Sequence, residues 1–184
     1  MVCAQNILIY MNLLYDIDPG TRDEMNAIIE IPKGSQNKYE IDKTSGLIRL
    51  DRANYSAAAY PVEYGFIPKT LWDDGDAVDV LVLASFPIPP GILVTIRPVA
   101  LMEMIDTGEN DYKIIGVPVE DKRWESVQDL SDINPHTLKE IQHFFETYKQ
   151  LKGKPAEVVI NGFKGKAEAQ VAFERARKMY EEKK

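Results

Sequence analysis

Asp73-Asp74-Gly75-Asp76-Ala77-Val78-Asp79-Val80-Leu81-Val82-Leu83 places four carboxylates within seven residues and then turns abruptly apolar. The apolar half reads as a buried strand: it is short, continuous and preceded by a Gly-bearing turn. Downstream, residues 92–105 and 112–119 repeat the pattern as strands set apart by Pro- or Gly-bearing turns. Upstream, residues 25–31 form another mostly apolar run, closed by Pro32-Lys33-Gly34. Residues 39–42 and 47–51 alternate apolar with polar across Lys43-Thr44-Ser45-Gly46, as the strands of a two-faced hairpin do, and their polar face carries Glu40, Asp42, Arg49 and Asp51.

Helical periodicity enters late. Asn134-Pro135 supplies an N-cap followed by a proline at the first helical position. Leu138, Ile141, Phe144, Phe145, Tyr148 and Leu151 follow at helical spacing, and Gly153 is placed to cap the end. Residues 155–160 read as one more strand and 166–182 as a final amphipathic helix, while 53–70, rich in aromatics and broken by Pro61 and Pro68, reads as loops and short extended pieces. Strands first and helices last predict an α+β fold, an antiparallel or barrel-like sheet with helices packed outside. The βαβ alternation of a dinucleotide-binding fold is missing.

The 184 residues, 45% hydrophobic, suit one globular domain that buries roughly 70% of its unfolded surface without needing disulfides or a structural metal. Any metal site is then expected to serve function. With 29 acidic against 22 basic residues the net charge is −7, which disfavours nucleic acid or an anionic membrane as partner. Cys3, the single cysteine, has no internal partner and sits where termini are often disordered, so a reducing cytosol fits best. The apolar stretch at 7–14 precedes the first cation, Arg22, and is too short to span a bilayer, so neither a signal peptide nor an anchor is expected.

Four clustered carboxylates repel one another, and if they converge a multivalent cation must offset the repulsion. In an extended segment Asp74 and Asp76 share a face, and Asp79 stands where the strand begins. Such hard oxygen donors favour Mg²⁺, Mn²⁺ or Ca²⁺ over zinc. An EF-hand is excluded: counting from Asp74, position 6 is Asp79 in place of glycine and position 12 is Ser85 in place of glutamate. A second acidic group, Asp106-Thr107-Gly108-Glu109-Asn110-Asp111-Tyr112-Lys113, lies in a turn between strands. The first cluster alone reads equally as an acidic surface turn, and the second alone reads more readily as one, because turns hold Asp, Gly and Asn for backbone reasons. Together, both bordering strands, they can bring Asp74, Asp76, Asp79, Asp106 and Asp111 to one end of a barrel.

Cations recur beside them: Lys38, Arg52, Lys113 and Lys149, with Tyr60 and Tyr64 in the aromatic stretch. Carboxylates bind metal, and metal with Lys and Arg binds a compact polyanion such as phosphate. No G-x-x-x-x-G-K-[ST], H-E-x-x-H, C-x-x-C or G-x-S-x-G motif occurs, so Walker-type, zincin and serine-hydrolase chemistries are unsupported. His136 and His143 read as surface or packing residues of the capped helix.

In this order the pieces resemble the soluble family I inorganic pyrophosphatases of prokaryotic type. The matching pieces are Ile29-Glu30-Ile31-Pro32, Lys38-Tyr39-Glu40-Ile41-Asp42, Leu50-Asp51-Arg52, Tyr60-Pro61-Val62-Glu63-Tyr64-Gly65, Asp74-Gly75-Asp76-Ala77-Val78-Asp79-Val80-Leu81, Arg97-Pro98-Val99, the segment 106–113, and His143-Phe144-Phe145-Glu146-Thr147-Tyr148-Lys149. The resemblance runs from about Asn12 to the C-terminus. It implies a five-stranded OB-like β-barrel with additional short strands and two main helices packed outside, formed by residues 11–184 as one domain, with 1–10 owed to an upstream start codon or forming an extension without catalytic duty.

The resemblance also implies roles. Asp74, Asp79 and Asp111 would hold a first Mg²⁺, with Asp79 reaching a second; Asp106 and Asp111 would bind metal arriving with substrate, and Glu30 would act on a further ion through water. Asp76 would be the general base. Lys38, Arg52, Tyr64, Lys113, Tyr148 and Lys149 would hold the two phosphoryl groups, with Glu40 and Tyr60 at the edge. Expected with these are pyrophosphate as substrate, Mg²⁺ (or Mn²⁺) as cofactor, a cytoplasmic location and a homo-oligomer, by family habit a hexamer. Ala77 departs from the proline many relatives carry there, which loosens the loop but removes no ligand. Two competing readings are an OB-like module that binds oligonucleotides through Tyr60, Tyr64 and Lys38, and a metal-dependent hydrolase of nucleotides or polyphosphates.

Overall fold

The structure, a computed structural model, describes residues 11–153 and 158–183. Its elements run β1 (Met25–Ile31), β2 (Asn37–Ile41), β3 (Ile48–Ala53), β4 (Glu63–Phe66), β5 (Asp79–Val82), β6 (Leu93–Asp106), β7 (Glu109–Asn110), β8 (Lys113–Pro118), α1 (Pro135–Thr147), β9 (Val158–Gly165) and α2 (Lys166–Lys183). The order strands-then-helices makes an α+β fold, with β9 inserted between the two helices.

Hydrogen bonding follows the path β1-β4-β5-β8-β6, and β1 pairs with β6 as well, so the five strands form a closed circuit. β9 and the two-residue β7 add to β6. The expected antiparallel arrangement holds at every pairing of this sheet except one: β5 and β8 run parallel, with Asp79 opposite Lys113. The physical reason is the connection between them, which crosses through β6 and β7 and returns in the original direction. β2 and β3 form a separate two-stranded sheet.

Alternate strand residues feed two apolar clusters. Leu81 and Ile115 join Ile31, Val99 and Met102 with Ile141, Phe144 and Phe145 of α1. Val80, Val82 and Ile114 join Met25, Ile29 and Ile96 with Ala169, Ala172, Phe173 and Ala176 of α2. Burial of a side chain such as Phe145 or Phe173 contributes roughly 1.5–3 kcal/mol, so each helix is held chiefly by its apolar face. Asn134 caps α1, accepting from the His136 amide at 2.9 Å, with Pro135 at the first position.

One expectation is sharpened and two are corrected. Within 53–70, read as loops and short extended pieces, residues 63–66 form β4, laddered in the middle of the circuit; four residues are too few to show alternation, and Glu63 is buried where a polar residue signals exposure. The late strand runs on to Gly165 rather than ending at 160, passing through Asn161-Gly162, which is taken up as a register shift against β6. α1 stops at Thr147, ahead of the expected Gly153, and a short 3-10 turn spans Gln150–Lys152. Residues 1–10, with Cys3 and the expected extension, and 154–157, with the start of the expected strand, lie outside the described residues. No helix among the described residues is long and apolar enough to cross a membrane.

Candidate active site

One end of the circuit opens into a cavity of about 530 Å³ whose lining comes from nearly every part of the chain. Glu30 reaches it from β1, Lys38 and Glu40 from β2, Arg52 from β3, Tyr64 from β4, Asp79 from β5 and Asp106 from β6. Asp74 and Asp76 come from the loop before β5, Asp111 from the link between β7 and β8, Tyr60 from the loop before β4, and Tyr148 and Lys149 from the chain leaving α1. Thirteen of the fourteen residues singled out in the sequence therefore share this lining. The fourteenth, Lys113, lies buried just behind it, its Nζ 2.6 Å from Asp79 and 2.7 Å from Asp111.

Register explains the tightest part of this assembly. Asp79 and Lys113 are partners across the parallel β5–β8 ladder, which puts both side chains on one face. Tyr64 arrives from β4 because Gly65 lets that strand press against β1: a Cβ at Gly65 would fall 2.0 Å from the Ile28 carbonyl oxygen. The Tyr64 hydroxyl donates to Asp79, and the Lys113 ammonium lies 5.4 Å from the Tyr64 ring centre and 5.5 Å from that of Phe145. Burial pushes the Asp79 carboxyl above the usual carboxylate range, with Lys113 pulling the other way. Burial alone would depress Lys113, but the charges of Asp111 and Asp79 outweigh it and hold its ammonium protonated.

The opposite wall is the β2–β3 hairpin. Lys38 pairs with Arg52 across its ladder, and the Lys38 ammonium sits 3.2 Å from Glu40 and 3.4 Å from Asp51, which also holds Arg52. Glu30 fastens the hairpin to β1 by accepting from the Ile41 amide at 2.6 Å; its burial raises the carboxyl to about 8. Across the mouth, Lys43 of the hairpin turn grips Asp76, and Lys149 grips Asp106. The acidic loop itself is bent at Gly75, whose φ of +84° suits glycine, and Asp74 folds back to accept from the Asp76 amide at 2.9 Å. Burial raises the Asp74 carboxyl.

Eight acidic and six basic side chains line the cavity, so it offers oxygen donors for cations and cations for a polyanion in the same space. Neither histidine lines it; both are exposed on α1. Among the described residues no three carboxylates already stand as a metal cage. Instead Lys113, Lys149 and Lys43 each lie against one or two of them. The donor set nonetheless suits a hard divalent ion: carboxylates and phenols without thiol or imidazole, including two carboxyls, Asp79 and Asp74, that burial leaves under-neutralised.

Sequence reasoning missed Lys43, hidden in a Lys-Thr-Ser-Gly turn where a charge reads as solvated, and Asp51, which holds both Lys38 and Arg52. Asp73 goes the other way. It belongs to the four-carboxylate run yet does not line the cavity, its side chain turning to Arg175 of α2 at 2.5 Å.

Residues 27–181 match the family model of the inorganic pyrophosphatases. The chain belongs to the inorganic pyrophosphatase family. It is 51% identical over 134 residues to the inorganic pyrophosphatase of Geobacillus stearothermophilus, covering 73% of this chain and 81% of that one. It is 47% identical over 175 residues to the inorganic pyrophosphatase of Haloferax volcanii, covering 94% and 98%. The fold follows the crystal structure of the inorganic pyrophosphatase from Thermus thermophilus with a TM-score of 0.89 at 41% identity, over 93% of this chain and 99% of that one. Inorganic pyrophosphatase membership and the cavity's mixture of clustered carboxylates and cations point to the same phosphate chemistry.

Proposed function

We propose that this chain hydrolyses inorganic pyrophosphate to two orthophosphates inside the 530 Å³ cavity. The observation that carries the reading is the meeting there of Asp74, Asp76, Asp79, Asp106 and Asp111 with Lys38, Arg52 and Lys149, groups far apart in the chain. Family membership supports the same substrate.

Asp74, Asp79 and Asp111 would hold an activating Mg²⁺, with Asp79 shared by a second; Asp106 and Asp111 would hold ions that come with substrate, and Glu30 would act through water. Mg²⁺ (or Mn²⁺) bound there supplies Lewis acidity, which brings the pKa of water toward neutrality and offsets the charge of the substrate. Asp76, on an exposed loop at the mouth, accepts the proton of the attacking water. Attack in line on one phosphorus expels the other phosphate, whose oxygens are held by Lys38, Arg52, Tyr64, Lys113, Tyr148 and Lys149. Glu40, 3.2 Å from Lys38, orients that ammonium, and Tyr60 packs at 5.8 Å from Tyr64 and keeps that ring in place.

The burial of Tyr60 between Tyr64 and Phe144 argues against an oligonucleotide platform, which needs open aromatic faces. The same reading takes residues 11–184 as one catalytic domain of OB-like barrel design, supported by the closed five-strand circuit, with 1–10 outside it. It places the enzyme in the cytoplasm, away from nucleic acid and membranes. A homo-oligomer, a hexamer by family resemblance, is supported by exposed apolar side chains such as Phe86 and Leu93.

The test is phosphate release from pyrophosphate with Mg²⁺, with EDTA, and with Asp76→Asn in Mg²⁺. Rapid release is expected only in the first, the substitution costing about 10²–10⁴-fold. Release that survives EDTA refutes the metal reading, and ATP cleaved as fast as pyrophosphate shifts the substrate to nucleotides.

A further inference from the structure

The acidic loop is gripped from outside the cavity. Arg175 of α2 donates from Nη2 to Asp73 at 2.5 Å, and the other oxygen of Asp73 accepts from Asn110 Nδ2 at 3.2 Å. The Arg175 guanidinium also lies 4.5 Å from the ring centre of Trp72, a buried side chain whose ring stands 5.8 Å from that of Tyr112. Backbone bonds complete the grip: the Leu71 amide donates to the Ala176 carbonyl at 2.9 Å, and the Trp72 amide closes the loop onto the Asp76 carbonyl at 2.6 Å. Trp72-Asp73 precedes Asp74 directly, and Asn110 and Tyr112 flank Asp111. One arginine on the last helix thus holds, through two adjacent residues, both segments that carry carboxylates of the site.

We propose that Arg175 is a positioning residue, which through Asp73, Asn110 and Trp72 sets the spacing between the 74–79 and 106–111 carboxylates and so the affinity of the site for divalent cations. The inference rests on the proposed function for its link to catalysis, while the metal-binding part stands on the clamp alone. Two loops held at fixed separation leave only side chains, and not the loops themselves, to be ordered when a cation binds. Released from Asp73, they bind at the cost of ordering them. Arg175, Asp73, Asn110 and Trp72 do not line the cavity, so the effect should fall on metal requirement and leave the chemical step nearly intact.

The experiment is titration of the full-length protein with Mn²⁺, read by electron paramagnetic resonance of the free ion in the absence of substrate, alongside activity against Mg²⁺ concentration. In Arg175→Ala the dissociation constant for Mn²⁺ and the Mg²⁺ concentration for half-maximal activity should both rise by about three- to tenfold, with kcat at saturating Mg²⁺ within about twofold of wild type. Arg175→Lys keeps the charge toward Asp73 but loses the guanidinium over the Trp72 ring, and should recover part of the affinity. Asp73→Asn should reproduce the defect, and in the double variant the two effects should not add. The control is Arg177→Ala on the same helix, which pairs with Glu174 and Glu181 and touches neither loop; its metal curve should match wild type.

A metal curve for Arg175→Ala that superimposes on wild type, whatever happens to Tm, overturns the proposal, as does an equal shift in Arg177→Ala or a wild type that binds no Mn²⁺. A wild type that binds Mn²⁺ but releases no phosphate from pyrophosphate overturns the proposed function instead, and the Mn²⁺ comparison between variants still decides the clamp.

Discussion

Asp79, Lys113 and Tyr64 stand on neighbouring strands of the circuit, laddered on both sides and backed by apolar side chains, whereas Lys38, Arg52 and Lys43 belong to a hairpin that is a sheet of its own. Lys113 is 1% exposed; the Lys43 side chain is 58% exposed. β2 has no fully buried residue; the hairpin joins the rest through half-buried Tyr39 and Ile41, which pack on the apolar clusters, and through polar contacts such as Ile41 to Glu30 and Lys43 to Asp76. One wall of the cavity is therefore preorganised and dry, the other adjustable and wet. In the dry wall charges are strongly coupled and costly to unpair, and in the wet wall water replaces most of what is lost.

The largest effect should follow from breaking the dry wall. Lys113→Met keeps most of the volume but leaves Asp79 and Asp111 facing each other without their cation. Removing one partner of a buried ionic group typically costs about 3–5 kcal/mol. Urea denaturation at pH 8 should show a loss of that order, and phosphate release should fall by about 10²-fold or more. The pH dependence has a definite sign. Asp79 is already raised by burial and rises further without Lys113, so its neutral form is favoured in the folded chain. The deficit should then be small at pH 5 and grow toward pH 8. A deficit independent of pH would mean that Lys113 acts by packing, and the contrast between the walls would lose its electrostatic basis.

Glu30 sits where the walls meet, and sharpens the contrast. Its carboxyl, raised by burial to about 8 against an ordinary 4.5, is protonated at neutral pH in the folded chain and ionised in the unfolded one. Between pH 4.5 and 8 the folded state thus holds the extra proton, and stability must fall as pH rises through that window. Glu30→Gln keeps an acceptor for the Ile41 amide and removes the titration. With EDTA present, the variant should gain on wild type by about 2–4 kcal/mol between pH 5 and 9, at about 1.4 kcal/mol per pK unit and allowing for relaxation. Parallel stability curves for the two proteins would show Glu30 to be as solvated as the hairpin it holds.

The same division separates what was legible in the sequence from what was not. Asp79 and Lys113 could be placed at strand starts because each borders a short apolar run bounded by turns, their roles coming from the family resemblance, and α1 announces itself through Asn134-Pro135 and the spacing of Ile141, Phe144 and Phe145. β4 escaped because four residues carry no period and Gly65, which permits its approach to β1, reads as a breaker. The parallel pairing of β5 with β8 depends on how the chain crosses β6, which no local pattern encodes. Lys43 escaped because a lysine in a turn looks solvated, and its reach to Asp76 depends on where the hairpin folds over. Asp73 looked like its neighbours and differs from them only through a helix a hundred residues away.

The smallest effect should come from the wet wall, and its smallness is the point. Lys43→Ala removes the contact from the hairpin turn to Asp76, an exposed pair of a kind worth about 0.2–1 kcal/mol. Stability should change by no more than about 1 kcal/mol. Loss of one cation at the mouth should raise KM for pyrophosphate by about two- to fivefold and make it less sensitive to added salt, because a screened charge that is absent can no longer be screened. The exposed Lys43–Asp76 contact is not needed for Asp76 to accept a proton, so kcat should stay within about twofold. Steady-state kinetics at two salt concentrations separate these outcomes. A fall in kcat with KM unchanged would mean that the hairpin holds Asp76 in its working position, and the adjustable wall would then be part of the preorganised one.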